Sequence, residues 1–188
     1  MNAAPLIEHE LRVGETGSPL TLLVDDSGDP VDIADYTAKA YGETAAGGSW
    51  IAETTTGITA NPTQNFTASA SENRLTANGH KLREGQQIVL AGDSLPGGLA
   101  AATRYFVRNV TPNDFQVSLR PNSSIVDVSS AGSGTMTFYV VGTVRYQFQS
   151  GDVDEAGNFR LEIRLYDGSS RPKFTRTVRV PVVAMGAF

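Results

Sequence analysis

Two histidines, His9 and His80, are the only imidazoles in the chain, and cysteine is absent. Histidine titrates near neutral pH and is the commonest metal ligand, so general acid–base or metal chemistry is first sought around these two. His80 sits in NGHKLREG with no second histidine and no carboxylate cluster close by, and it reads as a structural residue beside a turn. His9 lies in an N-terminal arm and is expected at the surface or at an interface. Asp25, Asp26, Asp29 and Asp32 suggest calcium by type. They lack the ligand spacing and the bidentate glutamate of a calcium loop, so a solvated hairpin turn is expected instead. Asp152, Asp154 and Glu155 read the same way, with weak cation binding as the alternative. The glycine-rich stretches AAGGSW, LPGGLA and AGSGT contain neither a dinucleotide fingerprint nor a lysine-ended phosphate loop. No Gly-x-Ser-x-Gly nucleophile elbow occurs. The expectation is a non-enzymatic protein with no catalytic residue, no cofactor and no metal. One cationic run remains, RPKFTRTVR, with Arg171, Lys173, Arg176 and Arg179. It suits a polyanion or an acidic neighbour, or it is an edge strand whose charges block aggregation.

These residues belong to a chain built for β-structure. It has 188 residues, 40% hydrophobic and 19% charged, enough to bury a core in one large or two small domains. Nineteen glycines and nine prolines are spread between short β-branched runs, which favours an all-β chain rich in turns. A net charge of -5 argues against nucleic-acid or anionic-membrane binding as the main activity. Without cysteine there is no disulfide framework, which fits a reducing cytoplasm. The first seventeen residues carry no basic n-region and no long apolar run, so no signal peptide is expected, and no segment has the apolar length of a membrane span.

Period-two alternation locates the strands. Residues 20–24 and 31–33 flank a DDSGDP turn; Tyr36, Ala38 and Ala40 alternate with polar residues; TTTGITANPT reads as a polar loop. Tyr105, Val107 and Asn109 alternate with Phe106, Arg108 and Val110, and Phe115, Val117 and Leu119 form the matching arm of a hairpin. Phe159, Leu161, Ile163 and Leu165 share one face, and residues 174–180 return beside them. No amphipathic helix is expected beyond a short turn near residues 152–156. Residues 1–60 carry ten acidic and two basic side chains, and residues 141–188 carry seven basic and five acidic ones. That asymmetry favours the two ends meeting in one domain, although each surface pair stabilises little.

Two resemblances follow from these segments. GETGSPLTLLVDDSGDPVDIADYTAKAYGE at the front and GTVRYQFQSGDVDEAGNFRLEIRLYDG at the back together resemble the immunoglobulin-like N-terminal domain of phage baseplate upper proteins. The back motif rests on Gly151, Asp152, Ala156, Gly157, Phe159 and Glu162. The middle resembles a small β-module of phage tail and virion proteins. Its pattern falls on His80, Leu82, Gly85, Ile88, Leu95, Pro96, Gly98, Leu99, Thr103, Tyr105, Val107, Phe115, Val117 and Ser118.

The resemblances imply an immunoglobulin-like β-sandwich from residues 1–65 and 140–188, with a small β-barrel-like or β-sandwich domain of residues 66–139 inserted in one loop. They imply a virion structural protein, assembled in the host bacterial cytoplasm as a homo-oligomer contacting other tail, baseplate or capsid proteins. A tail or tail-attachment component is expected; a capsid decoration protein and a receptor- or carbohydrate-binding module are the alternatives. Intersubunit contacts are expected at Leu6, Ile7, Leu11, Val13, Met185 and Phe188 and at the four cations of residues 171–179. Tyr105 and Phe106 are the aromatics expected to be exposed on the insert.

Overall fold

The computed structural model describes residues 7–8, 11–16, 19–169 and 171–184. Every regular element among them is a β-strand, as the turn-rich composition predicts. The chain divides into two compact units, one up to Ala60 and from Gly142 onward, the other Asn61–Val141.

The discontinuous unit opens with β1 (Ile7–Glu8), β2 (Leu11–Arg12), β3 (Leu20–Leu23), β4 (Asp25–Asp26) and β5 (Asp29–Pro30). It continues with β6 (Thr37–Thr44), β7 (Ser49–Thr54) and β8 (Ile58–Ala60). The inserted unit holds β9 (Thr63–Asn65), β10 (Thr67–Ser69), β11 (Arg74–Thr76), β12 (Gln87–Ser94), β13 (Arg104–Arg108), β14 (Asp114–Ser118) and β15 (Ser133–Val140). The chain then returns through β16 (Thr143–Tyr146), β17 (Gly157–Tyr166) and β18 (Phe174–Val183).

In the discontinuous unit the larger sheet runs β1-β18-β17-β6-β7, with β2 also on β18, and the smaller runs β3-β16-β8. Front and back of the sequence are therefore laced together: β17 pairs β6 from Phe159↔Thr44 to Tyr166↔Thr37, and β16 pairs β3 from Thr143↔Leu23 to Tyr146↔Leu20. Phe159, Leu161, Ile163 and Leu165 of β17 and Val178, Val180 and Val182 of β18 are buried. They share one core with Leu20 and Leu22 of β3 and Val144 and Tyr146 of β16. Inward faces of two sheets closing on one core make a β-sandwich. Each buried aliphatic side chain contributes roughly 1.5–3 kcal/mol relative to exposure.

Close fit is visible at Gly42, on the inward face of β6. A Cβ there would lie 2.8 Å from Trp50 Cε3 and 3.0 Å from Ile51 Cβ. The missing side chain lets Trp50 pack on Phe159, 4.4 Å between ring centroids. Asp152 of the back motif has a structural task as well. Its Oδ2 accepts from the Tyr146 hydroxyl and from the Gln149 N–H, both at 2.7 Å, which ties a turn to a buried strand. No helical turn forms at residues 152–156.

The inserted unit is a closed barrel. Its strand order is β10-β11-β14-β13-β12-β15-β9, with every pairing antiparallel. The two ends of that path, β9 and β10, are separated only by Phe66, so one bent strand pairs with β15 in its first half and β11 in its second. Counted as one, that bent strand has a neighbour on each side, β15 along its first half and β11 along its second, which draws the two ends of the path together. Phe66, Leu75, Ile88, Leu90, Tyr105, Val107, Phe115, Val117, Met136 and Phe138 fill its interior.

Two sequence expectations change here. TTTGITANPT is not a loop: it contributes β8 and part of β9, whose partners β16 and β15 lie some 80 residues later. The insert accordingly begins at Asn61 and ends at Val141 rather than at 66 and 139. Its points of departure and return are cross-strand neighbours within each unit, Val144↔Ala60 in the sandwich and Tyr139↔Thr63 in the barrel. With its ends adjacent, such an insert adds little strain to its host.

Candidate functional site: the outer face of the large sandwich sheet

The odd-numbered residues of β6 and β18 and the even-numbered residues of β17 point away from the core. They build a face of cross-strand rows: Glu43–Arg160–Arg179, Tyr41–Glu162–Thr177 and Lys39–Arg164–Thr175. The third row sets two cations opposite each other, which is locally unfavourable. Glu53 of β7 resolves it. Its Oε1 lies 2.8 Å from Lys39 Nζ, and its Oε2 accepts from Arg164 Nη1 at 3.2 Å and from the Tyr166 hydroxyl at 3.0 Å. Arg164 also pairs with Glu162 at 2.8 Å and lies over the Tyr41 ring, 4.6 Å from its centroid.

The ionisations follow from these partners. The Lys39 ammonium, foremost, holds the Glu53 carboxylate below its usual pKa. Glu53 in return raises that of Lys39, and Glu162 that of Arg164. Burial, then the Glu43 carboxylate, pushes the Tyr41 phenol up.

Beyond this network the first row borders an open groove of about 770 Å³, lined by Glu43, Thr44, Gly47, Asn158, Arg160, Thr177 and Arg179 among others. Arg160 and Arg179 stand directly opposite each other on β17 and β18. Glu43 is the register partner of Arg160 on β6 and Glu8 of β1 that of Arg179, so carboxylate residues flank the two cations in the row. The groove lining mixes donors, the guanidiniums, threonine hydroxyls and the Asn158 amide, with the Glu43 carboxylate.

Comparison with protein-family models, with curated proteins and with solved structures returns no match.

Of the interface candidates named by sequence, Arg179 alone lines this groove, beside Phe159 of the back motif. Arg176, on the opposite face of β18, pairs with Asp25 at 2.9 Å, so the cationic run is not one continuous stripe. Arg171 and Lys173 are exposed before the strand begins. Nor is β18 a bare edge: β1 and β2 pair alongside it in parallel, at Val178–Arg179 and Val182–Val183. Leu11 is corrected from an intersubunit contact to a core residue, 1% exposed within its own sandwich. Val13 packs half-buried on the same core, and its N–H donates to the Val183 carbonyl at 3.1 Å. Ile7 lies in β1, paired with Val178. Leu6, His9, Met185 and Phe188 lie outside the described residues.

Tyr105 is likewise corrected. It is 2% exposed and points into the barrel, where its hydroxyl accepts from the Ala100 N–H at 2.8 Å. Alternation then turns Phe106 outward, half-buried. His80 is 8% exposed; its Nδ1 accepts from the Leu82 N–H at 2.9 Å, and its ring meets Phe115 edge-on at 5.3 Å. What sequence reasoning missed is the partnership of Arg160 with Arg179. The two are 19 positions apart, and only the β17–β18 register reveals them as neighbours. The long alternating hairpin was the available signal.

Proposed function

We propose that this chain is a non-enzymatic structural protein of a bacteriophage virion, a tail, baseplate or tail-attachment component present in multiple copies. The observation that carries the reading is the discontinuous architecture: a β-sandwich that holds a closed β-barrel in the connection between β8 and β16. The sequence patterns that resemble phage proteins fall one on each unit. Their positions serve the scaffold. Asp152 ties a turn to Tyr146, Phe159 packs on Trp50, His80 accepts within its own turn, and Tyr105, Val107, Phe115 and Val117 fill the barrel. Such residues keep a displayed module rigid and offer no reacting group to solvent. The immunoglobulin-like assignment of the sandwich belongs to the same proposal.

The test is location. Gold-labelled antibody against the chain is applied to purified particles of the phage that encodes it. Label at the tail or its junction is expected. Label confined to the head surface would replace the tail reading with the decoration reading, and particles without label would overturn the proposal.

A further inference from the structure

Asparagine followed by glycine is the dipeptide most open to self-modification, because glycine sets no side chain beside its own nitrogen. The chain holds one such pair, Asn78–Gly79, in the connection between β11 and β12. Both residues are exposed. Gly79 has a φ of 62°, and nothing lies within 4 Å of the position its Cβ would take. The chemistry needs no partner beyond water. The Gly79 nitrogen attacks Cγ of Asn78, and the new N–Cγ bond closes a succinimide ring. The Cγ–Nδ2 bond breaks, and ammonia leaves with the proton that Gly79 gave up. Water then opens either imide carbonyl, which yields aspartate or isoaspartate at that position.

In the folded barrel the nucleophile is engaged. The Gly79 N–H donates to Asn113 Oδ1 at 3.0 Å. Asn113 is exposed in the turn before β14, and its main-chain carbonyl accepts from the Ala77 N–H at 2.8 Å. From β9, the Gln64 side-chain amide donates to the Asn78 carbonyl at 3.0 Å. Further along, the Leu82 N–H donates to His80 Nδ1 at 2.9 Å, which fixes a turn in which Lys81 has a φ of 55°. An N–H already donated is a poorer nucleophile. A peptide tied on both sides also cannot swing its nitrogen onto the neighbouring amide carbon.

We propose that Asn78–Gly79 is a self-modification site of the barrel and that Asn113 holds it shut, so that the succinimide forms in molecules whose β11–β12 connection has opened locally. The product works against reclosure. In isoaspartate the main chain runs through the former side chain, and the Asn78 carbonyl that held Gln64 becomes a free carboxylate. The modification is thus an irreversible record of past opening. It stands on the barrel's own geometry and is independent of the virion reading.

Ageing of the full-length chain tests it. The protein is held at mildly alkaline pH, where the amide nitrogen gives up its proton more readily. Peptide mapping by mass spectrometry then follows asparagine, aspartate and isoaspartate at position 78, and circular dichroism verifies that each variant is folded. Asn113→Ala frees the Gly79 N–H at an exposed position and should convert at least ~fivefold faster than wild type, about the factor one hydrogen bond supplies. Asn113→Asp keeps an acceptor oxygen and should age near the wild-type rate. Asp93→Ala controls for a general loss of stability, because it removes the acceptor of the Thr135 N–H, at 2.9 Å, elsewhere in the barrel. It should leave the rate near that of wild type, and wild type unfolded in urea should convert fastest of all. Asn113→Ala ageing no faster than wild type would overturn the proposal, as would Asn113→Asp ageing as fast as Asn113→Ala. Equal acceleration by Asp93→Ala would assign the rate to unfolding of the whole barrel and remove Asn113 as the lock.

Discussion

Asp152 shows how much one side chain of the back motif does. Its carboxylate accepts from a buried phenol and from a turn N–H, and burial followed by that carboxylate raises the pKa of Tyr146 strongly. Tyr146→Phe keeps the ring, and with it the edge-on contact with Phe148 at 5.2 Å, but removes the donor. The expected cost is about 1–3 kcal/mol, read as a lower urea midpoint at unchanged slope. Glu53 gives a pH-dependent counterpart. Its folded pKa lies below the ordinary 4.5, so its stabilisation is present above that value and is lost as pH falls through the folded pKa. Melting temperatures of wild type and Glu53→Gln should differ near neutrality and converge in acid; a gap that persists in acid would refute the linkage. From sequence, Asp152 was legible as part of a motif but not as a tie, because its partner lies six residues back on another element. The same holds for Tyr105. Alternation sorted β13 into two faces, and only the closed barrel decided which face was inside.

Elements were legible where one face is continuously apolar. β17 declares itself through four alternating hydrophobic residues, and the structure buries all four. β8 and β9 do not, since Ile-Thr-Ala and Thr-Gln-Asn carry almost no apolar signal. Their conformation is imposed by β16 and β15, partners far away in sequence, and tertiary pairing of this kind overrides local preference. The N-terminal arm misled for a related reason. A short terminal segment suggests a contact with a neighbour, yet Leu11 completes the core of its own sandwich. A close fit between elements lies where β6 crosses Trp50 of β7. Gly42→Ala should therefore cost about 1–3 kcal/mol through overpacking and should shift the emission of the displaced indole. An unchanged midpoint and spectrum would show that β7 yields without cost.

At the scale of the whole molecule, the two units carry separate cores. Their optical probes are separate too. Trp50, the chain's single tryptophan, lies in the sandwich, while far-ultraviolet circular dichroism reports strands of both units. Chemical denaturation should give a tryptophan transition that does not coincide with the dichroism transition, as two cooperative units require. Coincident curves would mean that sandwich and barrel unfold as one. The barrel draws all its strand pairings from within residues 61–141, so that segment expressed alone should reproduce the second transition. Two-domain organisation was legible in the texture of the sequence, and the domain limits moved only because polar strands mark the junction.

The interruption between β8 and β16 also imposes a timetable on synthesis. When β3 and β6 leave the ribosome, their partners β16 and β17 are still untranslated. The intervening barrel spans roughly 80 residues, which at ordinary elongation rates is a delay of ~4–16 s. For that interval the apolar faces of β3, β6 and β7 have no opposing sheet, while the barrel completes every pairing it needs from its own continuous sequence. The expected order is that the guest folds before its host. Arrest-peptide force measurements should register a folding event soon after Val141 emerges, and a second only when β18 is free.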